Sequence, residues 1–84
     1  MRKFINVVGV GLRKSGTAKN GRNYDFVPVS FTHEDDYKQT DGLLAETVNI
    51  PGPVFESAGS IKPGDVLDVV MHTANYRTFI DAIL

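Results

Sequence analysis

Residues 22 to 32, RNYDFVPVSFT, alternate with a period of two, and this pattern constrains the fold more than any other feature of the chain. Successive side chains of an extended strand point to opposite faces. Val27, Val29 and Phe31 therefore share a face suited to a core, while Arg22, Tyr24 and Phe26 share the other, a cation followed by two aromatics in phase. Pro28 has no amide proton to give to a ladder, which places this strand at a sheet edge or at a bulge.

Upstream, KFINVVGVGLRK (residues 3 to 14) is rich in β-branched residues, and its glycines fit a bulge or tight bend better than a helix interior. SGTAKNG supplies turn chemistry between the two runs, with Asn20-Gly21 as a pair tolerant of positive φ. A hairpin follows. HEDDYKQTDG (33 to 42) is polar, acidic and aperiodic, and reads as an exposed loop. LLAETVNI (43 to 50) resumes strand character, with Leu44, Val48 and Ile50 in phase and Glu46 as a polar exception. Pro51 and Pro53 break that strand, VFESAGS fits one or two helical turns, and Pro63-Gly64 turns the chain. A strand over about 65 to 73 places Leu67, Val69 and Met71 on one side, and Thr73-Ala74-Asn75 is short enough for a hairpin loop into a last strand, YRTFIDAIL.

This order predicts an all-β chain: a single domain over residues 1–84, folded as a five-stranded Greek-key OB-fold barrel with a short helical turn between strands 3 and 4. An SH3-like barrel has a similar length and strand count, but the helical turn favours the OB arrangement. The last strand is apolar on both faces, with Ile80, Ala82 and Leu84 on one and Phe79 and Ile83 on the other. One small barrel cannot bury both, so a homodimer is expected.

Charge is unevenly distributed. Residues 1 to 24 carry Arg2, Lys3, Arg13, Lys14, Lys19 and Arg22 with no acid, a sum of +6, whereas residues 25 to 84 carry three cations against ten acids, a sum of −7. Cations crowded at one end point to a polyanionic partner or an electrostatically paired surface. Cysteine is absent, which removes disulfides, thiolate metal sites and a cysteine nucleophile and fits a reducing compartment. MRKFINVVGVG is interrupted by Asn6, Gly9 and Gly11 and makes a poor signal peptide, and no apolar run approaches the roughly 20 residues of a membrane span. The expected setting is cytoplasmic, without a membrane partner.

Catalytic chemistry has no carrier. Gly16 to Gly21 has the glycine spacing of a phosphate-binding P-loop, but Arg22-Asn23 follow where Lys-Ser/Thr is needed, and the segment joins two strands instead of opening a helix. His33, Glu34, Asp35 and Asp36 are adjacent on a loop, which seldom converges on one ion, and His72 stands alone beside a turn. The reading is non-enzymatic, with no metal, no cofactor and no small-molecule substrate.

Single-stranded nucleic acid needs cations along its phosphates and flat side chains for its bases, and an OB barrel offers them from its strand 2–3 face and from the loops joining strands 1–2 and 4–5. The candidate interface is therefore Arg13, Lys14, Lys19 and Arg22 on the basic hairpin, Tyr24 and Phe26 on the aromatic face, and Tyr76 with Arg77 from the last loop. The same exposed face also suits a small protein-interaction module binding an acidic partner, or a single-stranded RNA binder.

The segment Ser15-Gly16-Thr17-Ala18-Lys19-Asn20-Gly21-Arg22-Asn23-Tyr24 resembles the small single-stranded-DNA-binding proteins of filamentous phages and related mobile elements, which carry a Gly-Thr/Val-Ser/Ala-Lys-x-Gly-x-Pro-Tyr run after their first strand. Asn23 stands where relatives often have proline. The resemblance implies an OB fold, homodimerisation, and coating of single-stranded DNA largely without sequence preference during phage or mobile-element replication in a bacterial host. It also implies that Lys19 and Arg22 contact phosphates and that Tyr24 stacks on a base.

Overall fold

A computed structural model describes residues Met1–Leu84. The elements are β1 (Arg2–Val10), β2 (Lys14–Thr17), β3 (Asn23–Glu34), β4 (Leu43–Pro51), α1 (Gly52–Ser57), β5 (Val66–Ala74) and β6 (Arg77–Ile83). All strand pairs are antiparallel and form one sheet in the order β4-β3-β1-β5-β6, with β2 also on β3. The all-β class is as expected; the strand number is six instead of five.

The extra strand arises because the first strand is broken. Phe26 pairs with Pro51 on one side and Lys14 on the other, and Val29 pairs with Val48 and Val10. β1 and β2 thus lie end to end along the same edge of β3, bridged by the Gly11 amide donating to the Pro28 carbonyl at 2.7 Å. A strand residue's N–H and C=O point the same way across the sheet. The amide-less nitrogen of Pro28 therefore faces the gap between β1 and β2, where no ladder bond is lost. β3 is consequently central, not the edge strand that Pro28 suggested.

The β2–β3 connection is a three-residue loop, Lys19-Asn20-Gly21. Gly21 donates to Ala18 O (2.9 Å) and Ala18 to Arg22 O (2.8 Å), with φ of +82° at Gly21 alone. Only one residue of the Asn20-Gly21 pair is left-handed. Asn20 instead accepts from the Arg22 amide through its side chain. The last hairpin is tighter than Thr73-Ala74-Asn75. Ala74 pairs with Arg77, leaving Asn75 (φ +52°) and Tyr76 (φ +61°) as a type I′ turn.

The core is the inward face of the curled sheet. Ile5, Val7, Val27, Val29, Phe31, Ile50 and Val69 are almost wholly buried, joined by Val48, Met71 and Ile80, by Ile61 from the loop before β5, and by Val54 and Phe55 of α1 at its margin. β6 resolves part of its two-sided apolar pattern within the chain. Its register against β5 slips between Met71↔Ile80 and Val70↔Ala82, so Asp81 is an extra residue. That bulge turns both Ile80 and Ile83 toward the core. Phe79 and Leu84 of the same apolar pattern remain exposed.

The sheet does not close. β4 and β6, its two ends, lie side by side without a backbone ladder.

Candidate nucleic-acid interface

Directly paired strand residues share a face. Lys14 opposite Phe26, and Gly16 opposite Tyr24, therefore lie on the outward face of β2 and β3. The rings of Tyr24 and Phe26 meet at 5.9 Å between centroids, tilted by 41°. Tyr24 lies across Gly16, where a Cβ would come within 2.8 Å of its hydroxyl oxygen, so the glycine leaves the space that the ring occupies. Tyr24 is nonetheless 43% exposed. Lys19 and Arg22 extend from the loop, and neither they nor Lys14 has a carboxylate within ion-pair distance.

Arg13 is placed differently from its sequence neighbours. It projects to the opposite face, with Nε and Nη2 on the two oxygens of Asp25 at 2.8 and 2.6 Å and Nη1 on Glu56 of α1. Those hydrogen bonds raise the guanidinium further and hold the Asp25 carboxyl below its usual range. Arg13 fastens the hairpin to α1, and its charge is already met. Arg2 and Lys3 are likewise drawn to Asp68 and Asp36. Half of the N-terminal cations thus pair with the acidic part of the chain. The free ones are Lys14 on β2 and Lys19 and Arg22 in and beside its loop to β3.

Tyr76 is fully exposed, at the tip of the last hairpin. A large side chain at positive φ costs about 1–2 kcal/mol relative to the right-handed region, and glycine or asparagine is the usual occupant of such a turn. Arg77 and Phe79 follow on the outward face, and the ring of Phe79 stacks on His72 at 4.9 Å and 15°, with His72 Nδ1 2.6 Å from Asp81. Across the open seam stand Thr47 and Asn49 of β4, the latter paired with Pro28 next to the aromatic platform.

Sequence reading missed one polar cluster. His33 belongs to β3, not to an acidic loop, and is only 6% exposed. Its Nδ1 donates to the Glu34 carbonyl (2.8 Å), and Nε2 lies 2.5 Å from Glu46 Oε2, while Thr78 Oγ1 donates to Glu46 Oε1 at 2.6 Å. Glu46, the polar exception of its strand, is thus the junction of β3, β4 and β6, and its signal was its own misfit with the strand period. Partial burial works against ionisation of Glu46, but the hydrogen bonds from Thr78 and His33 outweigh it and lower its pKa. Because the folded carboxyl titrates below its ordinary 4.5, its stabilisation is complete above that pH and is lost as pH falls through the folded value. Thermal melts are expected to show stability falling on acidification below about pH 4.5, with a smaller fall in Glu46→Gln; equal falls would exclude this role.

No group of three or more His, Cys, Asp or Glu side chains is arranged to hold a metal ion, and no helix is long and apolar enough to cross a membrane. Comparison with known protein families, curated proteins and solved structures finds no match to the chain.

Proposed function

We propose that the chain is a non-enzymatic single-stranded-DNA-binding protein that coats DNA largely without sequence preference, in the phage or mobile-element replication of a bacterial cell. The observation that carries this reading is the outward face of β2 and β3, where Tyr24 and Phe26 share a face with Lys14, continued by a connecting loop that carries Lys19 and Arg22, all three cations without acidic partners. Rings and free cations on one face are what an extended strand of bases and phosphates requires.

The finer fold belongs to the same proposal. With β1 and β2 counted as one broken strand, the order β4-β3-β1-β5-β6 and the position of α1 between β4 and β5 are those of an OB barrel whose last seam is bridged by side chains instead of a ladder. A dimer would draw on exposed apolar side chains such as Phe79 and Leu84 at the end of the chain, or Phe4 and Val66 at neighbouring outward positions of β1 and β5.

Titration with oligo(dT) at low salt tests the reading, and absence of binding there overturns it. If Lys14, Lys19, Arg22 and Arg77 each neutralise a phosphate, log K against log salt should have a slope of about −3. Alanine at any one of these four should flatten the slope by about 0.7, whereas Arg13→Ala should leave it unchanged because that charge is already paired. Tighter binding to a matched RNA would redirect the proposal to RNA.

A further inference from the structure

We infer that the open seam between β4 and β6 is a slot for one nucleobase, an inference that rests on the single-strand-binding reading. The seam holds a cleft of about 360 Å³ walled by Thr47 and Asn49 on one side and Arg77 and Phe79 on the other, with Tyr76 at its rim.

Backbone direction supplies the recognition groups. The Pro28 carbonyl faces β1, so the groups of Val27, Val29 and Phe31 face β4, and their partners Ile50, Val48 and Glu46 face back. Thr47 and Asn49 must then direct their N–H and C=O into the seam. No ladder joins β4 to β6, and none of the backbone bonds outside the ladders involves either residue. Each presents a donor beside an acceptor, the pattern that the edge of a nucleobase complements. The Asn49 amide is exposed and makes no hydrogen bond within the protein, leaving a second donor and acceptor at the same wall.

The opposite wall is held in place for stacking. Phe79 is backed by His72, which Asp81 orients, and Arg77 stands at the mouth without an acidic partner to receive the phosphate. Tyr76 holds an aromatic ring wholly in solvent at a backbone position that disfavours it.

A peptide strand is the other occupant that an open sheet edge invites. The Thr78–Glu46 hydrogen bond closes the seam at one end, and Pro51, which lacks an amide proton, ends β4 at the other. Only Thr47 and Asn49 lie between. Within the cleft the free edge is thus two residues long, which suits a single planar group better than a strand. Asn49 also faces Pro28, two residues from Phe26, so a chain crossing the aromatic platform can place its next base in the slot.

The test is NMR titration of the protein with dTMP and dAMP at millimolar concentration and, separately, with oligo(dT), following backbone amides. The expected result is shifts at Thr47, Asn49, Arg77 and Phe79 with the mononucleotides, reduced in Asn49→Ala, and an oligo(dT) affinity about fivefold weaker in that variant. Oligo(dT) binding at the β2–β3 hairpin with silent seam amides overturns the slot while the coating function stands. Mononucleotide shifts at the seam without oligo(dT) binding support the slot and overturn the coating function, and silence in both titrations overturns both.

Discussion

Replacing Tyr24 with alanine should weaken oligo(dT) binding by about 1–3 kcal/mol, the range for loss of one base-stacking aromatic, or roughly 5- to 150-fold in Kd. The ring is 43% exposed, on the same face as Lys14 and in contact with Phe26. It also has a structural task, since it lies over Gly16. A glycine in a strand adds no side-chain packing of its own, and a cross-strand aromatic supplies the missing cover. Tyr24→Ala would therefore loosen the hairpin as well as remove the stacking surface, so Tyr24→Phe is the necessary companion. It keeps the ring and the cover of Gly16 and loses only the hydroxyl. Affinity retained in the phenylalanine variant and lost in the alanine variant identifies stacking, provided that thermal melts show both folded. Unchanged affinity in Tyr24→Ala would make the ring a packing group alone. Because Tyr24 and Phe26 touch, Tyr24→Ala combined with Phe26→Ala should cost less than the sum of the single losses.

The parts of this site that were legible in the sequence are those governed by local rules. Period-two alternation separates Val27, Val29 and Phe31 from Tyr24 and Phe26 without knowledge of any partner strand, and the burial of the first three follows. The hairpin was legible for the same reason, since turn chemistry acts over a few residues. What was not legible depends on partners distant along the chain. Arg13 reads as one more cation of a basic loop, yet Asp25 and Glu56 take it to the other face. The bulge at Asp81 shifts strand phase by one residue, which periodicity alone sees as a strand apolar on both sides. The break between β1 and β2 is visible as glycine, but its register depends on Pro28 seventeen residues away. His33 was hidden by composition, because four polar residues in a row look like loop even when the first is the last inward position of a strand.

That histidine supports the second large effect. His33→Leu is expected to destabilise the fold by about 2 kcal/mol, which lowers Tm by about 8–16 °C for a domain of this size. Leucine fills most of the buried volume, so the loss comes from the polar groups left behind: the Glu34 carbonyl and one oxygen of Glu46 both lose their ring partner. Leaving a buried acceptor unpaired costs about 1–3 kcal/mol, and the lower part of that range applies because the Glu46 side chain is 29% exposed and water can recover part of the bond. The loss should be specific to the pair. Glu46→Leu alone strands His33 Nε2 and Thr78 Oγ1, whereas the double variant His33→Leu with Glu46→Leu strands neither member of the His33–Glu46 hydrogen-bonded pair and should be less destabilised than the two single effects added together. Strict additivity in urea unfolding would mean that the two side chains act independently. Coupling would show that His33 and Glu46 act as a unit, with the carboxylate that also accepts from Thr78 across the seam held by the ring on β3. The Thr78–Glu46 bond joins the start of β6, just after Tyr76 and Arg77, to that unit.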